Sequence, residues 1–163
     1  MSSAKQTIPI RFVSIRGTKG AGDSLFSLDA SNSLMFSLCG LGQACSIATG
    51  KDSADRLTLV RREILELALY TFKYVGSINN VVAFTPPVLG KPQYAVYLQK
   101  SDVSQQLKLP LVRTLSAKVP LPSTIAPREQ QTVNSALRSR FYKSSFAQSQ
   151  QGDVVLVLKP LAS

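Results

Sequence analysis

Histidine and tryptophan are both missing from the 163 residues, and there are only two cysteines and nine acidic residues. Each shortage closes off chemistry. Without histidine, the chain lacks the commonest general base, the usual activator of a serine or cysteine nucleophile, and the commonest metal-binding side chain. A structural zinc site takes about four ligands, and Cys39 and Cys45 supply two. In a reducing compartment two such thiols stay free and act as small apolar side chains, which is the role expected of both. Asp52 and Asp55 lie close together, and a helix start accounts for both; the remaining acids fit turns, caps and helix-surface pairs. Neither catalysis, nor a cofactor, nor a bound metal is therefore expected.

Long apolar runs are missing as well. Nothing approaches the ~20 residues that a membrane-spanning helix needs, and the polar start Met1–Gln6 has no apolar stretch of the kind found in secretory signals. A cytoplasmic location with no membrane partner is therefore expected. Gly17-Thr18-Lys19-Gly20-Ala21-Gly22 is rich enough in glycine to suggest a phosphate cradle. Its spacing lacks the terminal Gly-Lys-Ser/Thr and the helix that a P-loop requires, so it reads as a hairpin loop.

What is abundant is positive charge. The net charge is +10, from 19 basic and nine acidic residues, and its distribution is uneven. Residues 1–22 carry Lys5, Arg11, Arg16 and Lys19 with no acid; residues 104–152 carry Lys108, Arg113, Lys118, Arg128, Arg138, Arg140 and Lys143 against Glu129 alone. Elsewhere the signs cancel, including Asp153 against Lys159 at the C-terminal end. A compact chain with so much charge of one sign repels itself, and an anionic partner relieves that repulsion.

At 44% hydrophobic and 17% charged, the composition is that of an ordinary globular domain. The size suits a single domain over residues 1–163, with 1–7 as a flexible tail. Ile8, Ile10 and Phe12 alternate as in a strand covered on one side, with Pro9 placing its start at an edge or terminus. Short apolar strands are expected at 25–28, 34–38 and 44–48. The clearest element is a helix over 53–75. Ser53 or Asp52 caps it, Leu57, Val60, Ile64, Leu67, Ala68, Thr71 and Val75 recur at helical spacing, and Gly76 is the expected left-handed stop. Arg62 and Glu66, four apart, are expected on its polar face.

A β-hairpin follows over 81–84 and 94–98, then a short helix within 101–109 and a Pro-rich connection over 116–127. A second helix is expected from Ala126 or Pro127 to about Arg140, capped by Thr124 and only thinly apolar. The run Val154-Val155-Leu156-Val157-Leu158 predicts a central strand buried on both faces. This order gives an α+β domain with a mixed or mostly antiparallel sheet packed against two helices.

The functional expectation is a non-catalytic module that binds a polyanion, with nucleic acid first, RNA or DNA. Phosphates would be neutralised by Arg11, Arg16, Lys19, Lys108, Arg113, Lys118, Arg128, Arg138, Arg140 and Lys143, and Tyr142 would stack on bases together with Phe146. Arg138, Arg140 and Lys143 are expected to form a collar at the end of the second helix. An acidic protein would suit the same charge map. The alternative class is a structural or assembly subunit of a homo-oligomer or larger particle, with the Pro86–Pro92 loop and the 120–127 connection as its contacts.

Overall fold

The protein was described by a computed structural model that defines residues 10–16, 25–38, 53–88 and 90–161. Lys19, the Gly17–Gly22 loop, the expected strand over 44–48 and both cysteines lie outside the described residues.

The long helix, α1, runs Ala54–Tyr74. Ser53 caps it: the hydroxyl oxygen accepts from the Arg56 amide at 3.1 Å, and Asp55 stands in the first turn, where the helix dipole favours a negative charge. Ile64, Leu65, Ala68, Leu69 and Phe72 are all buried along one stripe. The stop differs from the expectation. Gly76 does not take a left-handed conformation; positive φ among the described glycines falls at Gly90 and Gly152, in hairpin turns. Instead Val75 leaves the helix in an extended conformation, and the chain turns so that Ile78, donating its amide to Val75 O at 3.1 Å, is buried.

Seven strands form one mixed sheet: β1 (Ile10–Arg16), β2 (Leu25–Asp29), β3 (Ser33–Ser37), β4 (Asn80–Phe84), β5 (Tyr94–Gln99), β6 (Phe141–Gln148) and β7 (Val154–Pro160). Their order is β2-β1-β7-β6-β5-β4-β3, with β1–β7 and β3–β4 parallel and the other pairs antiparallel. The α+β expectation holds. β2 and β3 are the two edges, yet only the 3-10 turn Ala30–Asn32 separates them in sequence.

That connection dictates the shape of the sheet. Laid flat, seven strands ~4.8 Å apart would hold their edges ~29 Å from each other. The four-residue step from Asp29 to Ser33 can span no more than ~14 Å. The sheet therefore rolls until its edges nearly meet. Its concave side is an apolar core of Val13, Tyr97, Tyr142, Leu156 and Leu158, with Leu28, Met35 and Phe84 around them, so that every strand contributes. Asn32 sits at the closing turn. Its carbonyl oxygen accepts from the Asn79 amide at 2.9 Å and its side-chain oxygen from Asn80 Nδ2 at 3.1 Å, while Asn80 Oδ1 accepts from the buried Tyr97 hydroxyl at 2.9 Å.

The convex side is shared unequally. The other faces of β4 and β5, through Val81, Ala83, Val96 and Leu98, pack against α1 and the segment between β5 and β6. No residue of β1, β2 or β7 belongs to that helical core. β7 is central, as expected, but only its concave face is fully buried: Leu156 and Leu158 are inaccessible, whereas Val155 and Val157 on the convex face remain partly exposed.

Between β5 and β6 the chain forms α2 (Ser104–Leu107), α3 (Leu111–Thr114) and α4 (Pro127–Ala136), joined by short 3-10 turns. The helix α3 was not expected. The second predicted helix is shorter than expected, ending at Ala136, with Ala126 in the cap position and Thr124 inside a 3-10 turn. Leu137 leaves the helix and is wholly buried, and Ser139 adopts a left-handed φ of 57° that turns the chain into β6. This reversal removes the expected helical collar, because Phe141, Tyr142 and Lys143 belong to a strand.

Arg62 anchors this segment to α1. It is almost fully buried, and it donates to Glu129 Oε1 at 2.7 Å, Glu66 Oε2 at 2.6 Å and Ser116 O at 2.7 Å. Glu129 Oε2 also accepts from the backbone amide and hydroxyl of Ser116. The Arg62–Glu66 pairing matches the expected spacing, but it lies inside the fold instead of on a wet face.

Candidate nucleic-acid interface

Strand alternation settles which basic residues share a surface. On β6, Tyr142 and Ser144 point to the concave side and are buried, so Lys143 between them points outward and is exposed. On β7, Leu158 is buried within the core, so Lys159 points outward beside it. Lys143 and Lys159 are direct cross-strand partners. On β1, Ile15 faces the concave core and pairs with Leu158, which brings the exposed Arg16 one step further along, next to Lys159.

Lys143, Lys159 and Arg16 thus form a row across three adjacent strands, perpendicular to the chain direction. Neighbouring strands lie ~4.8 Å apart, so the three charges fall within about 10 Å before side-chain reach is counted. Like charges directly opposite each other on a sheet are destabilising. Among the described residues, no carboxylate comes within ion-pair distance of any of the three. A surface that tolerates this repulsion is suited to an anion.

The other residues singled out from the sequence are more scattered. Arg11 is exposed on β1, and its nearest carboxylate is Asp153 at 3.7 Å. Arg140 is partly buried and bound to Asp102 Oδ1 at 2.8 Å; Asp102 in turn accepts from the Gln99 amide, so this arginine ties the end of β5 to the start of β6. Tyr142 lies in the concave core, edge-on to Tyr97 with ring centroids 6.4 Å apart. Burial raises the pKa of its phenol, and its ring has no exposed face on which a base could stack. Phe146, on the same strand, is largely exposed beside Phe84, their ring centroids 6.2 Å apart.

Lys108, Arg113, Lys118 and Arg128 are exposed, but they lie along the helical segment between β5 and β6, away from the three-strand row. Arg138 is exposed just beyond α4 and lines a cavity with Arg61 and Phe141. The structure therefore brings Arg16 together with Lys143, and does not bring the helical bases to them.

Three contributors are missing from the sequence expectation: Lys159, Arg61 and Tyr94. Lys159 was cancelled against Asp153, yet it lies six residue steps further along the strand, ~20 Å of extended chain. Asp153 sits near Arg11 and leaves Lys159 unneutralised. The two-residue alternation of Val155, Val157 and Lys159 carried the signal. Tyr94 is the β5 partner of Lys143 and continues the row towards α1.

Comparison with family models, curated proteins and solved structures gives no significant match. Function has to be read from the residues themselves. Among the described residues no helix is long and apolar enough to cross a membrane.

Proposed function

We propose that this chain is a non-catalytic basic module that binds the phosphate backbone of nucleic acid along the Arg16–Lys159–Lys143 row. The observation that carries this reading is the direct pairing of Lys143 with Lys159, flanked by Arg16, with no described carboxylate in ion-pair range. Folding brings these like charges together at a cost, and neutralising them with phosphates removes it while releasing condensed counterions. The row lies on a regular sheet, so its spacing is fixed before the ligand arrives. Phe146, in step with Tyr142 and Ser144, belongs to the opposite face of β6 beside Phe84 and takes no part in this surface.

The test is fluorescence anisotropy with a labelled oligonucleotide across a fourfold change in salt, from about 50 to 200 mM. With three phosphates neutralised, affinity should fall about 40-fold over that range. Replacing Arg16, Lys143 and Lys159 together by glutamine should remove most of the binding and its salt dependence. Absence of binding at about 50 mM salt would defeat the reading, and an acidic protein would become the anion to seek.

A further inference from the structure

The basic row runs into a groove. Two adjoining cavities, about 650 and 570 Å³, flank α1 where it passes the start of β6. They share the lining residues Leu57, Phe141 and Leu161, so they are two parts of one channel. Its floor is apolar and open: Leu57 and Leu161 are about half exposed. Arg61 and Arg138 line one part, and no carboxylate among the described residues lines either.

The channel and the row meet at two residues. Tyr94 lines the channel and is the direct cross-strand partner of Lys143. Phe141 lies two residues before Lys143 on the same face of β6. The Arg61 guanidinium lies 5.4 Å from the centre of the Phe141 ring, and Arg61 Nε is buried without a hydrogen-bond partner among the described residues. A planar occupant would stack on the flat surfaces of Tyr94, Phe141 and the Arg61 guanidinium that line the channel.

We propose that the channel takes unpaired bases of a single-stranded nucleic acid whose backbone lies on the Arg16–Lys159–Lys143 row. This rests on the phosphate-binding reading of that row. Aromatic faces and arginine planes stack bases with little regard to their identity, so the preference is for single strands over duplexes, not for one sequence. A duplex keeps its bases inside and can use only the row. An acidic peptide would match the charge, but its aspartate and glutamate side chains carry no aromatic ring to stack on Tyr94, Phe141 and the Arg61 guanidinium.

The experiment compares a labelled thymidine oligonucleotide, a duplex, inorganic polyphosphate and polyglutamate, each titrated against the wild type, Tyr94→Leu and Leu57→Gln. Leu57 is half exposed, so its replacement leaves the fold intact should Tyr94→Leu prove unstable. The single strand is expected to bind roughly tenfold more tightly than the duplex or polyphosphate. Both variants should reduce that advantage, and Leu57→Gln, which lies outside the row, should leave duplex and polyphosphate binding unchanged. If duplex and single strand bind alike, or if the variants leave single-strand binding unchanged, bases do not enter the channel, while the row survives as a backbone site. Polyglutamate binding that Tyr94→Leu weakens would give the channel to an acidic peptide and overturn the proposal. If none of the nucleic acids binds, the row itself fails and the channel proposal fails with it.

Discussion

Removing the Glu129 carboxylate, buried near the start of α4, should loosen the helical side of this protein. Glu129 accepts from Arg62 Nε at 2.7 Å and from the Ser116 amide and hydroxyl. In Glu129→Ala the Arg62 guanidinium stays buried, with Glu66 and the Ser116 carbonyl as its remaining partners. Breaking one partner out of a buried pair costs ~3–5 kcal/mol, because the other charge is left without compensation. Glu66 still balances part of that charge, and Ser116 can turn to water, so the lower end of that range, ~3 kcal/mol, is expected. That is a large part of the ~5–15 kcal/mol that holds a small domain together.

The assay is urea unfolding followed by circular dichroism on Glu129→Ala, Arg62→Met and the double variant. Replacing both partners leaves no orphaned charge, so the double variant should be more stable than the sum of the singles implies, by ~2 kcal/mol or more. The acid limb gives an independent check. Burial alone would raise the Glu129 pKa, but hydrogen bonds from Ser116 and Arg62 outweigh it and hold the carboxyl below its ordinary value. A lowered folded pKa means that this stabilisation is complete above the ordinary carboxyl range and lost as pH falls through the folded value. Glu129→Gln should flatten that loss. Strictly additive variants, or a cost under ~1 kcal/mol for Glu129→Ala, would refute the view that this network holds α4 and the preceding segment onto α1.

Other consequences follow from the same structure. Of the five tyrosines, Tyr97 and Tyr142 should ionise late in an absorbance titration, because burial pushes Tyr97 up to about 12 and raises Tyr142 as well. Stability should correspondingly decline as pH rises from about 10 towards 12, since the unfolded chain ionises first. Lys159→Glu should turn a repulsive cross-strand pair into an attractive one. It should raise the unfolding free energy by ~0.2–1 kcal/mol while weakening nucleic-acid binding, and a loss of both would contradict the account. Ile64→Ala, on the buried stripe of α1, should cost ~2–5 kcal/mol in the same urea assay, and a cost near zero would show that this stripe does not carry the core.

Local patterns were legible in the sequence wherever one residue's environment decides the outcome. The apolar stripe and Ser53 cap of α1, the hairpin of β4 and β5, and the central place of β7 all follow from spacing and turn chemistry. What could not be read depends on partners remote in sequence. Arg62 and Glu129 are 67 residues apart, and nothing local distinguishes an arginine destined for burial from its exposed neighbours. The rolled sheet follows from the strand order combined with the short Asp29–Ser33 step, and the strand order is a property of the whole chain. At the proposed site, counting charge by segment found Arg16 and Lys143. The same count discarded Lys159, because cancelling signs along a sequence ignores the length of a strand. Tyr142 and Lys143 were both singled out, and a single alternation of the pleat sends one into the core and the other to the surface.

The salt dependence of oligonucleotide binding tests the central claim most directly, measured for the wild type and two triple variants. One replaces Arg16, Lys143 and Lys159 by glutamine; the other replaces Lys108, Arg113 and Arg128 on the helical segment. Each phosphate neutralised on duplex DNA contributes about 0.9 to the slope of log affinity against log salt. The first variant should lower that slope by about 2.7, while the second should leave it near the wild-type value. Equal slopes for the wild type and the row variant, or a loss confined to the helical variant, would contradict the assignment of phosphate binding to the β1-β7-β6 surface.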